Sequence, residues 1–154
     1  ADRIASLFLG ILNLTWFVLI AVDVHRLHVF PSPPMWLSTG GVVVGLIGYG
    51  IMATALWQNP FAAPIVGDQT DRDQVVIDSG LYGRVRHPLY LGYILFLTGL
   101  GLWLGSVVSV LVMPVIVAPI VARILIEEEN LREHLPGYVE YMTHVSYRLV
   151  PLAW

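Results

Sequence analysis

Four long apolar segments, joined by shorter polar ones, constrain the fold of this chain more than any other feature. They run from Ile4 to Val22, Trp36 to Trp57, Leu89 to Leu104 and Val107 to Ile126. A helix needs about 20 apolar residues to cross a bilayer, and each segment reaches or approaches that length. Only 12% of the 154 residues are charged, against roughly 25% in a soluble domain. We therefore predict a single-domain, all-α integral membrane protein with about four transmembrane helices.

The polar segments predict how these helices are connected. Gly105-Ser106 alone separates the last two spans, which predicts a tight helical hairpin. Residues 58–88 form a long loop with a solvated turn from Asp68 to Asp73, and residues 127–154 form a tail. The helical pattern of the tail is broken at Pro136-Gly137.

Pro114 and Pro119 both lie inside the fourth predicted span. Proline removes a backbone hydrogen bond and bends a helix, so we predict a kink in this span. The kink either serves packing or opens a cavity that lipid can enter.

The basic residues predict the orientation. All eight are arginines, and a four-span topology places seven of them on the side of both termini and only Arg26 on the other. Because basic residues concentrate on the cytoplasmic side, we predict a bacterial inner-membrane protein with both termini, the loop, the tail and the active site in the cytoplasm.

Composition also excludes several kinds of site. The chain has no cysteine, so disulfides and thiolate metal sites are impossible. Its net charge of −3 does not indicate a nucleic-acid partner. His25 and His28 have a spacing that suits a metal, but no third ligand lies near them in the sequence, so we predict no metal.

Polar residues gather where the third span meets water, in the segment from Gly80 to Gly92. A residue before proline is disfavoured in a helix, so His87 should stand outside the helix that Pro88 begins. Its imidazole is then available to a ligand at the membrane surface. An interfacial basic anchor explains Arg86 and His87 equally well on local chemistry alone.

A second polar cluster lies at the end of the fourth span. Arg123 and Glu127 are four residues apart and share one helix face. They form either a local ion pair, or a pair in which Arg123 holds a substrate anion and Glu127 a cofactor. Glu128 and Glu129 are predicted to point elsewhere, with Glu129 on a solvated face.

The order of these motifs resembles one family. Gly-x-Tyr-x-x-x-Arg-His-Pro-x-Tyr-x-Gly runs from Gly80 to Gly92, and Arg123-x-x-x-Glu127-Glu128 follows after a helical hairpin. The tail then carries a spaced set of residues, namely Tyr138, Tyr141, Val145, Arg148 and Pro151. This pattern resembles the isoprenylcysteine carboxyl methyltransferases and the related phospholipid N-methyltransferases.

The resemblance implies a methyl donor, S-adenosylmethionine, and a lipidic acceptor that enters from the bilayer. It implies a catalytic role for Arg123, which would hold the carboxylate of the acceptor. It also implies a set of cofactor-binding residues, namely Gln74, Val75, Val76, Ile77, Tyr82, His87, Pro88, Leu89, Tyr90 and Glu127.

The residues slightly favour carboxyl O-methylation. Methyl transfer needs alignment and a desolvated nucleophile, and a carboxylate is already ionised at neutral pH. An amine acceptor, as in phospholipid N-methylation, must first lose a proton, and arginine is a poor base.

Two other functions stay open. An NADPH-dependent membrane reductase of the sterol-reductase type has a similar tail, but that family has Asn where Leu89 stands here. The other possibility is a non-catalytic membrane protein that binds lipid or serves as a scaffold.

Overall fold

The computed structural model describes residues 2–62 and 74–154, with side chains from residue 7 onward. The described residues form helices and no strand. The helices are α1 (Asp2–Val22), α2 (Met35–Gln58), α3 (Pro88–Trp103), α4 (Val107–Leu111), α5 (Met113–His134) and α6 (Tyr138–His144), and a π-helical turn, Asp23–Leu27, continues α1. The all-α prediction is confirmed for this part of the chain. The turn predicted from Asp68 to Asp73 lies outside the described residues.

Three helical segments are long and apolar enough to cross a membrane, namely Leu7–Leu27, Met35–Gln58 and Val107–His134. The third predicted span corresponds to α3, which is apolar but has only 16 residues. At 1.5 Å per residue it is about 24 Å long, less than the roughly 30 Å of a hydrocarbon core. Large apolar side chains such as Phe8 and Ile11 are exposed along α1, as expected of a surface that faces lipid.

The fourth predicted span is divided into two helices. Val112 separates α4 from α5, and Pro114 occupies the first turn of α5. A proline in this position costs the helix no hydrogen bond, because the first N–H groups of a helix have no intrahelical partner. Both prolines lie inside the apolar segment Val107–His134, as expected; Pro114 starts α5, and Pro119 lies inside this helix.

Helices α2 and α3 approach each other closely because glycines face each other between them. A Cβ atom on Gly48 would lie 2.6 Å from the carbonyl oxygen of Gly92 and 2.9 Å from Cα of Phe96. Small residues permit this kind of helix contact in membranes. This contact holds the first turns of α3 against α2. These turns carry the histidine motif, His87-Pro88-Leu89-Tyr90.

The main core lies between α1, α3 and α5. Ile116, Ile120 and Ile124 recur every four residues along α5 and are at most 1% exposed. They pack with Trp16 of α1 and Leu97 of α3. The two polar clusters, which lie in segments 80–92 and 123–148, come together near the start of α3 and the end of α5.

The other end of the bundle is closed by a buried polar contact. Ser106, in the turn after α3, donates a hydrogen bond of 2.6 Å from its Oγ to Oδ2 of Asp23. Both residues are buried. The indole N–H of Trp16 donates to the backbone carbonyl of Ser109 over 2.9 Å. The turn between α3 and α4 therefore lies beside the end of α1, opposite the polar clusters.

Candidate active site

The segment before α3 is a compact turn fixed to the end of α2. Gly80 has φ +62°, a left-handed conformation that suits glycine. The next residue, Leu81, donates its backbone N–H to Oε1 of Gln58 over 2.9 Å. His87 is the last residue before the helix and has non-helical torsion angles. The predicted helix boundary at His87-Pro88 is therefore confirmed.

The tail docks on this turn through backbone hydrogen bonds. The N–H groups of Arg86 and His87 donate to the carbonyl oxygens of Tyr147 and Arg148, each over 2.9 Å. In addition, the hydroxyl of Tyr141 donates to the carbonyl oxygen of Tyr82 over 2.7 Å. The two polar clusters thus form one structural unit.

Glu128 is the centre of this unit and is 2% exposed. Its Oε1 lies 3.2 Å from Nε of Arg86 and 3.3 Å from Nε2 of His87. Its Oε2 accepts a hydrogen bond of 2.9 Å from Nε of Arg148. Nε of Arg86 makes no hydrogen bond within the described residues, so its contact with Glu128 is electrostatic. One carboxylate thus compensates the positive groups of both the turn and the tail.

A second chain of contacts connects the arginine and the glutamate predicted to be functional. The hydroxyl of Tyr90 donates to Oε2 of Glu127 over 2.9 Å. The hydroxyl oxygen of Tyr90 also accepts a hydrogen bond of 3.0 Å from Nε of Arg123. Tyr90 therefore bridges Arg123 and Glu127.

The turn, α3, α5 and the tail enclose a cleft with about 640 Å³ of empty space, including its open mouth. Nine of the ten residues predicted to bind the cofactor line it, namely Gln74, Val75, Val76, Ile77, Tyr82, His87, Leu89, Tyr90 and Glu127. Pro88 is buried in the first turn of α3, and Arg123 reaches the cleft through Tyr90. Their role in binding stays a prediction.

Sequence reasoning missed several residues of this site. Glu128 was expected to point elsewhere on the helix, but it is buried among the motif residues. Glu129 is exposed, as predicted, and it pairs with Arg132. Further lining residues come from the end of α2, the turn, α5 and α6, namely Asn59, Phe61, Ala62, Arg86, Leu131, Leu135, Tyr138 and Tyr141.

Three tyrosines line the cleft outside the membrane-spanning helices, and at pH 7 they are uncharged groups that can form hydrogen bonds. Burial, with a smaller effect of the nearby Glu127 carboxylate, raises the pKa of Tyr82 to about 12. Burial also raises the pKa of Tyr138 and of Tyr141. Each phenol therefore keeps its proton and can donate a hydrogen bond. Within the described residues no group of three or more side chains is placed to hold a metal ion.

This arrangement agrees with a comparison against protein families. A family model described as phospholipid methyltransferase matches residues 36–136, about two thirds of the chain. The matched region includes α2, the histidine turn, α3 and α5 with Arg123, Glu127 and Glu128. The chain belongs to the phospholipid methyltransferase family. A search of curated proteins finds no significant match.

Membership of the phospholipid methyltransferase family identifies the protein as a membrane methyltransferase. This agrees with the resemblance drawn from the motifs, because the carboxyl methyltransferases and the phospholipid methyltransferases are related. It favours methyl transfer over the reductase and the non-catalytic alternatives. The apolar helices agree with a bilayer as the surroundings of the protein.

Proposed function

We propose that the protein transfers a methyl group from S-adenosylmethionine to a lipidic acceptor at the boundary between membrane and water. The observation that carries this proposal is the bridge from Arg123 through Tyr90 to Glu127 at the edge of the cleft. It connects Arg123, in the middle of α5 and near the end of its apolar part, with a carboxylate in a water-accessible cavity. An acceptor in the bilayer and a soluble donor can therefore meet there.

The residues of the cleft fit this donor. Glu127 and Tyr90 provide polar groups on one wall, where they would bind the charged or hydroxylated parts of the donor. Val76, Leu131 and Leu135 provide an apolar wall near Tyr138, suited to a flat base. When bound, S-adenosylmethionine supplies an activated methyl group on a sulfonium. The protein then has to align the acceptor with that group and exclude water.

Arg123 is our proposed anion-binding residue for the acceptor. Its neighbour Ile124 is fully buried, whereas Leu125 and Ile126 are 47% and 71% exposed, so Arg123 lies where the core borders the lipid-facing surface. A guanidinium in such a place stabilises a carboxylate or a phosphate. With a carboxylate acceptor, the anion itself is the nucleophile and needs no base, which is the basis for proposing carboxyl O-methylation.

Phospholipid N-methylation is the second candidate, and the description of the matched family favours it. In this case Arg123 would bind the headgroup phosphate rather than the nucleophile. The headgroup amine would have to lose a proton before methyl transfer. Both candidates therefore use Arg123 as an anion site and differ in the atom that receives the methyl group.

The chemistry of the product distinguishes the two candidates. We would place the purified protein in vesicles of total bacterial lipid, add donor with a tritiated methyl group, and treat the labelled lipid with base. A methyl ester releases volatile methanol, whereas an N-methyl group stays non-volatile. Label that turns volatile supports O-methylation, and label that stays non-volatile supports N-methylation. Absence of labelled lipid together with absence of donor binding would overturn the proposal.

Three variants test the proposed roles of Glu127 and Arg123. Glu127→Ala should weaken binding of S-adenosylhomocysteine, and Arg123→Ala should reduce labelling at low acceptor concentration with little effect on that binding. Arg132→Ala is the control, because Arg132 is an exposed arginine on the same helix. It should change neither quantity. Thermal stabilisation by NADPH, and not by S-adenosylhomocysteine, would instead support the reductase.

We also propose that the site faces the cytoplasm of a bacterial cell. The donor is a charged, soluble metabolite, and the arginine distribution of the sequence predicts this orientation.

A further inference from the structure

One buried hydroxyl of the candidate site makes no hydrogen bond within the described residues. Tyr138 is the first residue of α6 and is 4% exposed. Its Oη is buried and makes no hydrogen bond to any residue that the structure describes. Buried polar groups are nearly always paired, and an unpaired one costs stability. An unpaired hydroxyl that the fold retains therefore indicates a partner that binds from outside.

The neighbouring tyrosines differ in this respect. Tyr141 lies three residues further along α6, and its ring centroid is 5.6 Å from that of Tyr138. Its hydroxyl donates to the carbonyl oxygen of Tyr82 over 2.7 Å. Tyr90, which also lines the cleft, is bonded to Glu127 and Arg123, and the hydroxyl of Tyr82 donates to the carbonyl oxygen of Ala55 over 3.5 Å. The fold therefore provides partners for the other three tyrosine hydroxyls of the cleft, and Tyr138 is the exception.

Tyr138 also lines the cleft, so a ligand there can reach it. The side chains that pack around it are mostly apolar, namely Val76, Leu131, Leu135, Met142, Tyr141 and Val145. Tyr90 and Glu127 add polar groups to the same cleft, and the charges of Glu127, Glu128 and Arg86 act on the Tyr138 hydroxyl from nearby. The side chains that pack around Tyr138 are nevertheless mostly apolar and aromatic, which suits a flat heteroaromatic ring that can bond to its unpaired hydroxyl.

A hydroxyl can serve such a ring in two ways. It donates to a ring nitrogen or accepts from an exocyclic amino group. Because burial raises the pKa of Tyr138, its proton is present whenever a ligand arrives. The purine of S-adenosylmethionine offers both kinds of partner.

We propose that the Tyr138 hydroxyl is a hydrogen-bond partner for the adenine of the methyl donor, and that the wall around it forms the adenine site. This inference rests on the proposed function, because it takes the donor to be S-adenosylmethionine. It adds a specificity-determining residue that lies beyond the region matched by the family model, which ends at residue 136.

The test compares Tyr138→Phe with Tyr93→Phe in the whole chain in detergent. Calorimetry would give Kd for S-adenosylhomocysteine and for 5′-methylthioadenosine, which lacks the amino-acid part. Tyr138→Phe should raise both Kd values by the same factor, roughly fivefold, which is about one hydrogen bond. Without ligand its Tm should equal or exceed that of the wild type, because no hydrogen bond is removed.

Tyr93→Phe is the matched control, because Tyr93 lies outside the described lining of the cleft and its hydroxyl bonds to Asn13 of α1. It removes a hydrogen bond that the fold uses, so its Tm without ligand should fall while the two Kd values change less than twofold. Equal loss of affinity in both variants would overturn the proposal, since a general disturbance of the protein would then explain it.

The remaining outcomes separate this inference from the proposed function. Unchanged affinity of Tyr138→Phe, in a protein whose wild type binds S-adenosylhomocysteine, overturns the role of Tyr138 alone. A loss for S-adenosylhomocysteine only, or no binding of 5′-methylthioadenosine to the wild type, overturns the adenine assignment. No binding of S-adenosylhomocysteine to the wild type overturns the proposed function and this inference together.

Discussion

Glu128 illustrates how one residue connects distant parts of this sequence. It is buried, and it contacts Arg86, His87 and Arg148 from two separate segments. A buried carboxylate is tolerated because these positive and hydrogen-bonding partners surround it. The same contacts hold His87 and the tail in place beside the cleft. Glu128 is therefore a positioning residue, whereas Glu127 faces the cleft itself.

We predict that Glu128→Gln destabilises the protein by about 3 kcal/mol or more, since loss of one charge leaves buried positive groups uncompensated. The control Glu129→Gln removes an exposed partner of Arg132 and should change stability by less than about 0.5 kcal/mol. Denaturant unfolding in detergent measures both. Equal, small effects would contradict the central role of Glu128.

The hydroxyl of Tyr90 provides a second prediction for a single residue. Tyr90→Phe removes the hydroxyl between Arg123 and Glu127 and should lower kcat/KM for methyl transfer about tenfold or more, because hydrogen bonds to charged groups are strong. Tyr93→Phe, one turn further along α3, is the control, since its hydroxyl bonds to Asn13 of α1. Rates in the vesicle assay measure both. Similar rates for the two variants would show that the bridge is not needed.

The sequence contained a signal for Glu128 that residue chemistry alone did not reveal. Three glutamates stand in a row, and the charge pattern cannot decide which of them is buried. The apolar residues Ile116, Ile120 and Ile124 recur every four positions, and the next position in this series is 128. The phase of the buried helix face therefore predicts the glutamate that turns inward. The unpaired hydroxyl of Tyr138 had no such signal, because it depends on tertiary packing.

At the scale of elements, the length of an apolar segment predicts a helix well. The ends of α2 and α3 agree with the predicted spans within one residue, because burial of backbone polar groups in lipid favours a continuous helix. The division at Val112 was not predicted. It follows from Pro114, which has no N–H to donate to the carbonyl oxygen four residues before it.

The contact between α2 and α3 gives a prediction for these elements. Gly48→Ala places a Cβ atom 2.6 Å from the backbone of Gly92, so the helices must separate. We expect a loss of about 1–3 kcal/mol and weaker binding of S-adenosylhomocysteine, since Gly92 lies in the same turns of α3 as the histidine motif. The measurement is Tm with and without this ligand.

Gly50→Ala is the matched control in the same helix. A Cβ atom there has no neighbour within 4 Å, and alanine favours a helix by up to about 1 kcal/mol over glycine. Its stability should therefore be unchanged or higher. A Gly48→Ala variant as stable as Gly50→Ala would mean that the close glycine contact is not needed.

For the whole molecule, contacts at both ends decide how the short helix α3 is placed. Arg86 and His87, before α3, bond to Tyr147 and Arg148 in the tail, so the loop and the tail lie on one side. Ser106, after α3, bonds to Asp23 at the end of α1. Despite its 16 residues, α3 therefore connects the two ends of the bundle. No local sequence pattern contains this information, because each contact joins segments that are far apart in the chain.

These contacts predict a four-crossing topology that labelling can test. The chain contains no cysteine, so single-cysteine variants need no prior removal of native thiols. Ser32→Cys lies between α1 and α2, and Thr143→Cys lies in α6, both at exposed positions. In intact bacterial cells a membrane-impermeant maleimide should label Ser32→Cys alone, and Thr143→Cys should react only after the cells are opened. Labelling of Thr143→Cys alone would reverse the orientation and place the site outside. Labelling of both in intact cells would require an even number of crossings between them, which would contradict the three crossings by α2, α3 and the segment Val107–His134.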